Sequence, residues 1–398
     1  MKKKLDKIWF FSDFAHREGG ASIVVIENLI QLKKKGMNVS LISNYGPIDK
    51  DLIENRIPVF CLYEKRVFFN FSFLLNISLF KFLFNNKNLF GHNDKFHIHS
   101  WTKGLSLTLF FFFYKYKRKI IITLHDYFTF CPNGAYFNFN KNYICNLRPL
   151  SLQCFFSSCD SRSYIIKLYR FIYLLIFKYF YKKHENFTKL IFISNFQQKI
   201  INQFRVTKHN YVINNPITFH YNFFATKKIN QSNYIYIGRL SKEKGVLDIA
   251  HAAKLLSLNI IFIGDGPMKN KIKKIYNRAV ITGWIDHAIV LDYLKNARMG
   301  FFSSRWYEPF GLTAFEMMGN GIPLIVAKNT YISSLLLDKV NCIKYDPYNK
   351  DEIINAIKIS FDNKLINKLS SNCYKFQKKY YQNVSCVNDL KKIYLLNE

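Results

Sequence analysis

Two carboxylates eight positions apart, Glu308 and Glu316, stand in the run RWYEPFGLTAFEMMGNGIP, residues 305–323. On one continuous helix, eight steps at 3.6 residues per turn would leave their side chains roughly 80° apart. They converge on one ligand more readily if Glu308 lies in a loop and Glu316 on a helix opened by the turn Phe310-Gly311-Leu312. Gly311 permits close backbone approach, and the N–H groups of a new helix point outward without partners. Such a helix start beside two ionised acceptors suits a ligand with phosphates at one end and hydroxyls at the other. A nucleotide sugar has that form.

Other residues with chemical reach sit where strands are expected to end. Arg239 and Lys244 follow the apolar run 234–237, and His125 directly follows the apolar run 120–124. Gly19 and Gly20 sit between a short apolar run and an amphipathic one. The turn Gly264-Asp265-Gly266-Pro267 looks like half a dinucleotide fingerprint, but it lacks the third glycine, so a dehydrogenase reading is poor. Four of the eight cysteines crowd one region, Cys131, Cys145, Cys154 and Cys159. No C-x-x-C pair occurs, and thiols packed as small apolar groups are the plain reading. A structural zinc is the alternative, with Cys154 and Cys159 nearest to ligand spacing.

The elements that must hold these groups follow from periodicity. Strands are predicted at 8–11, 39–43, 96–99, 120–124 and 190–194, with a helix at 21–35 that Gly36 ends. A second alternating series has strands at 234–237, 259–263, 279–282, 299–303 and 324–327. Helices fall between them near 246–256, 268–276 and 289–296. Two such arrays imply an α/β protein with two Rossmann-like, doubly wound parallel sheets facing a cleft. The polar stretch 209–232 is the expected linker. The domains are expected at 1–213 and 214–375, with a helical segment at 376–398 packing back on the first. Ligands in such folds bind at the carboxyl ends of the strands, hence in the cleft.

The 398 residues carry 58 basic and 26 acidic side chains, a net charge of +32. The excess leans toward the first half, and polyanions are the natural partners of such a surface. Nucleic-acid binding is one such reading, but no helix-turn-helix, zinc-finger or RNP pattern appears and the basic residues are scattered. No stretch offers the roughly 20 apolar residues of a spanning helix, and no secretory signal is evident. The expectation is a cytoplasmic protein attached to the inner face of a membrane. Residues 163–183 read as an amphipathic helix whose Lys167, Arg170, Lys178 and Lys182 share one face, set to meet anionic lipid.

The runs YIGRLSKEKGVLDIAHAA, IFIGDGP, TGW and RWYEPFGLTAFEMMGNGIPLI resemble, in order and register, the C-terminal half of glycosyltransferase family 4. The first half adds EGGASIVVIENLIQLKKKGMNV, then TLHDY at 123–127, FISNF at 192–196 and NNP at 214–216. The resemblance implies a GT-B fold and retaining transfer from a nucleotide-sugar donor. Arg239 and Lys244 would then hold the donor pyrophosphate, Glu316 the ribose hydroxyls, and Glu308 the transferred sugar. Phe310, Gly311 and Leu312 would supply backbone N–H groups, and Gly19 and Gly20 would approach the same pyrophosphate. Gly264 and Gly266 would lie near the nucleotide, with Trp284 beside the base. His125 would stand at the reaction centre; Asp126 would orient it or meet the acceptor. The implied catalytic set is Glu308, His125, Arg239 and Lys244.

Front-face attack, usual in this family, needs no covalent nucleophile, and the leaving phosphate takes the acceptor's proton. No D-x-D run is present, and neither a metal nor another cofactor is implied. The segment 125–164 resembles a subset of these enzymes that builds bacterial surface polysaccharide such as capsule or O-antigen. A lipid-linked or oligosaccharide acceptor follows, and nucleic acid does not. An inactive sugar-binding scaffold of the same fold and a polymer-extending synthase are the other readings.

Overall fold

The computed structural model describes residues 7–64, 74–204, 209–217, 232–383 and 386–395. The first domain contains strands β1 (Ile8–Phe14), β2 (Val39–Tyr45), β3 (Val59–Tyr63), β4 (Lys95–Ile98) and β5 (Ile120–Leu124). A small antiparallel pair follows, β6 (Phe137–Asn138) and β7 (Tyr143–Ile144), then β8 (Thr188–Phe192) and β9 (Asn210–Val212). Apart from the small pair they form one parallel sheet of order β3-β2-β1-β4-β5-β8-β9. The second domain contains β10 (Asn233–Ile237), β11 (Asn259–Ile263), β12 (Val280–Gly283), β13 (Ala297–Phe302), β14 (Leu324–Ala327) and β15 (Cys342–Tyr345). Their parallel order is β12-β11-β10-β13-β14-β15. The two doubly wound domains are the architecture that the motifs implied.

Each sheet is buried on both faces, so its central strands are almost continuously apolar. In β1, Trp9 and Phe11 enter one core cluster while Ile8 and Phe10 enter another, as a period of two requires. Tyr234 and Tyr236 of β10 likewise part from Ile235. Strand order reverses between β1 and β4 in the first sheet and between β10 and β13 in the second. These are the switch points where crevices open beyond the carboxyl ends of strands.

The predicted strands all exist, with ends shifted by a few residues. The edge strands β3, β9 and β15 were not foreseen. β9 corrects the linker: residues 210–212 pair with Leu190–Phe192 in the first sheet. Residues 218–231 of that stretch lie outside the described residues. Near the C-terminus, helix Cys386–Leu395 sets Cys386, Val387, Leu390, Ile393 and Tyr394 into the core cluster of Ile8 and Phe10.

The amphipathic helix runs Tyr164–His184, with the Ser163 hydroxyl accepting from the backbone N–H of Ile166. Its predicted basic face does not survive. Lys167 is fully buried, its Nζ donating to the carbonyls of Cys154 and Phe155. Arg170 pairs with the buried carboxylate of Asp160 at 3.4 Å. A cation with internal acceptors does not face lipid. Lys178 and Lys182 are exposed, together with Ile165, Ile172, Leu175 and Tyr179.

Candidate functional site in the cleft

The second domain brings Lys244 and Glu308 together. Lys244 lies in the short turn Lys242–Lys244 beyond β10, and Glu308 in the loop beyond β13. Lys244 Nζ donates to Glu308 Oε2. The same oxygen accepts from Ser304 Oγ at 2.6 Å and from Trp306 Nε1 at 2.8 Å. Burial alone would resist ionisation of Glu308, but the Lys244 charge and the three hydrogen bonds outweigh it and hold its carboxyl below the usual range. Lys244 also lies 5.2 Å from the centre of the Trp306 ring. Arg239 is exposed at the end of β10, and its guanidinium has no partner among the described residues.

Glu316 is buried on helix Leu312–Gly319, and its Oε1 bonds His287 Nε2 at 2.5 Å. That hydrogen bond raises the pKa of His287. The helix begins after Gly311, whose φ of 111° is open to glycine. A Cβ there would lie 2.6 Å from Phe302 Cζ. No side chain caps this helix; Ala314 N–H turns back to Gly311 O at 3.0 Å, and the N–H groups of Leu312 and Thr313 are the ones left open. Phe310 is buried between Phe315 and Tyr331 and offers only its backbone.

Gly264 and Gly266 have a role that the motif did not reveal. Cβ atoms at these positions would fall 2.1 Å from the Gly238 carbonyl oxygen and 2.4 Å from that of Leu240. The backbone N–H of Leu240 donates to Asp265 O at 2.9 Å. The two turns lie backbone on backbone, and together they present Arg239. Trp284 stands 78% exposed just beyond β12.

The first domain faces this group with a different chemistry. Helix Gly20–Lys34 starts after Gly19, and Ser22 Oγ accepts from the N–H groups of Glu18 and Gly19 at 2.9 and 3.1 Å. The following N–H groups, of Gly20, Ala21 and Ser22, open the helix. A methyl on Gly20 would lie 3.8 Å from Leu312 Cδ1, so two helix starts meet across the cleft. Beside them is a cavity of about 200 Å³ lined by Asp13, Gly20, His99, Trp101, His125 and Asp126 among others.

His125 Nε2 lies 3.0 Å from His99 Nδ1. Burial pushes the pKa of His125 down to about 4. Burial, then the neighbouring His97 and His125, drives that of His99 well below its ordinary value. His97 behind them is pushed by burial to about 3 and bonds Tyr394 Oη at 2.6 Å and Thr123 Oγ1 at 2.8 Å. Asp126 therefore does not orient His125; its Oδ1 accepts from Phe128 N at 2.8 Å, and His99 holds the ring instead.

The zinc alternative is also corrected. Among the described residues no group of three or more His, Cys, Asp or Glu is arranged to hold a metal ion. Burial raises the Cys131 thiol to about 12 and that of Cys159 to about 11, and the Cys131 thiol donates to Asn133 Oδ1. These are packed thiols.

Sequence reasoning missed Ser304, Trp306, His287 and His99. Trp306 lay inside the recognised run and Ser304 immediately before it. For His99 the signal was the alternation FHIHS at 96–100, two histidines on one face of an apolar strand.

Contacts across the cleft tie the halves together. Ser194 Oγ donates to Pro309 O at 2.6 Å, and Lys242 Nζ to Phe139 O at 3.0 Å. Trp306, which holds Glu308, meets the edge of Tyr127 at 6.1 Å.

Comparison with known proteins gives this arrangement a context. Residues 221–380 match the family model described as glycosyl transferases group 1. A galactosyltransferase of Escherichia coli, named for UDP-Gal and α-D-GlcNAc-diphosphoundecaprenol, is 26% identical over 182 residues. The match covers 42% of this chain and 46% of that protein. The chain thus spans less than half the length of the curated relatives it matches first. Among solved structures, Anabaena Alr3699/HepE in complex with UDP and glucose aligns with a TM-score of 0.68 at 17% identity, over 97% of this chain and 98% of that one. Sucrose-phosphate synthase from Thermosynechococcus elongatus aligns with a TM-score of 0.70 at 18% identity, over 98% of each chain. The fold is GT-B.

Proposed function

We propose that this chain is a retaining glycosyltransferase of the family 4 type, moving a hexosyl or related group from a nucleotide sugar to a lipid-linked glycan of a bacterial surface polysaccharide. The observation that carries the reading is the meeting of two helix starts, at Gly20 and Leu312, whose first N–H groups no side chain accepts from, in the cleft that the Lys244–Glu308 pair lines and the exposed Arg239 borders. Open N–H groups from both sides with a free guanidinium are the chemistry of a diphosphate clamp. Arg239, Lys244 and these N–H groups stabilise charge growing on the leaving phosphate. Glu308 lies against the transferred sugar, Glu316 receives the ribose hydroxyls, and Trp284 flanks the base. His125 meets the sugar from the other lobe. The cationic groups supply the charge that a D-x-D-bound metal supplies elsewhere, so transfer is metal-independent.

Thermal-shift screening against a panel of nucleotide sugars tests the donor. A true donor at one hundred times its Kd stabilises the protein by about 2.7 kcal/mol. No response to any nucleotide or nucleotide sugar would sink the reading. Anomeric analysis of the product tests retention, and activity lost on chelation would overturn metal independence.

The name of the Escherichia coli relative supports a lipid diphosphate acceptor, and the exposed face of helix Tyr164–His184 supports a membrane role. Ile165, Ile172, Leu175 and Tyr179 share that face with Lys178, Lys182 and Lys183. Apolar side chains beside cations fit an anionic headgroup layer on the inner leaflet. No helix among the described residues is long and apolar enough to cross a membrane. Co-sedimentation with anionic liposomes should be lost in an Ile172→Glu, Leu175→Glu double variant; retention of binding would refute this face.

A further inference from the structure

We propose that His99 is a positioning residue that fixes His125 as the Nδ1–H tautomer, so that His125 offers a hydrogen-bond donor, not a base, to an oxygen of the bound substrate. The inference rests on the reading of the cleft as a transferase site but concerns a property of the empty protein.

His99 is 2% exposed and stacked on Phe10, with ring centres 4.9 Å apart. Its two nitrogens differ. Nδ1 lies 3.0 Å from His125 Nε2, whereas Nε2 is buried without a partner. A neutral imidazole carries one N–H and one bare nitrogen, so a single proton lies between the two rings. Were that proton on His125 Nε2, His99 would hold its own on Nε2, a buried N–H with nothing to accept it. Orphaned buried donors are the rarer and costlier arrangement. With the proton on His99 Nδ1, the orphan is only a lone pair.

The consequence passes to His125. Its Nε2 then accepts, and its proton sits on Nδ1, the nitrogen that His99 leaves unengaged on a ring lining the cavity. The state of one ring is set by the bond that the other makes. The site therefore presents a fixed N–H toward a sugar hydroxyl or a phosphate oxygen, and leaves removal of the acceptor's proton to another group.

Long-range ¹H–¹⁵N spectra of histidine-labelled protein without ligand test the tautomers directly, with His125→Ala assigning the ring. A protonated Nδ1 and a bare Nε2 on His125 are expected; the reverse would overturn the proposal. No substrate is needed, so this outcome stands apart from whether any sugar is transferred. In turnover, His99→Asn keeps a donor near the Nδ1 position and should retain kcat within a few-fold. His99→Leu removes the donor and should lower kcat about tenfold with little change in donor KM. Equal activity of Leu and wild type, or equal losses in Leu and Asn variants of unchanged thermal stability, would refute the role.

Discussion

The two walls of the cleft solve the same problem in opposite ways. The second domain keeps its polar groups ionised: Glu308 is held as a carboxylate by Lys244, Ser304 and Trp306. The first keeps its histidines neutral: burial denies a charge to His97, His99 and His125. Charge in the second domain is assembled by tight turns that approach backbone to backbone. Neutral donors in the first are assembled by strands side by side, β1, β4 and β5. A charged wall grips an anion; a neutral wall orients hydroxyls without competing for it.

The sharpest way to break the contrast is to strip the charged wall. Lys244→Ala should lower transfer about 10²–10³-fold. It should also destabilise by about 3 kcal/mol, because the Glu308 carboxylate then lies buried without its cation. Adding Glu308→Gln should recover much of that stability and none of the activity, a coupling that a double-mutant cycle reads. Arg239→Ala, which breaks no side-chain hydrogen bond or ion pair among the described residues, should lose activity with stability within about 0.5 kcal/mol of wild type. The lowered pKa of Glu308 fixes the sign: its contribution is present above the ordinary carboxyl range and is lost as pH falls through the folded value.

A second comparison lies in the glycines. Gly264→Ala drives a methyl into the Gly238 carbonyl and should cost about 3 kcal/mol by denaturant unfolding. Gly20→Ala meets only Leu312 at ordinary contact distance, so stability should hold while donor affinity falls. Equal destabilisation by the two would erase the distinction between a glycine kept for packing and one kept for a ligand.

That distinction also marks what the sequence could reveal. The charged wall was legible because Arg239, Lys244, Glu308 and Glu316 sit in short runs whose order is a signature. The neutral wall was half legible: His125 could be placed at a strand end, but His99 is 26 residues away and meets it only through sheet pairing. Lys167 and Arg170 were misread because a helical wheel ranks residues by polarity and is blind to the carbonyls and the Asp160 carboxylate that receive them. The edge strands β9 and β15, NYV and CIKY, were missed because so few residues with a polar side chain among them lack a buried strand's apolar run; β3, VFCLY, carries such a run and was passed over.

The neutral wall makes its own prediction in acid. Unfolded histidines take up protons near pH 6.5, while native His125 resists to about 4 and His97 to about 3. The unfolded state then binds more protons, so stability falls as pH drops from about 6.5 toward 4. His125→Ala should reduce the proton uptake on unfolding by up to one, read as a shallower slope of unfolding free energy against pH. An unchanged slope would mean that His125 protonates freely in the native protein.

The smallest effect tests the one place where the charged wall contains a histidine. His287 is half exposed and holds Glu316, which raises its pKa, so their bond is full at low pH and weakens as pH rises through the folded value. The carboxylate that His287 occupies is the one proposed to receive the ribose. Donor affinity should therefore improve with rising pH in the wild type, by about two- to fivefold, the range of a partly exposed ion pair. In His287→Ala the affinity should be flat across the same range and equal to the high-pH wild-type value. Affinity that instead falls in the variant at every pH would make His287 a direct contact of the nucleoside and not its competitor. The charged wall would then share the neutral wall's strategy at that one point.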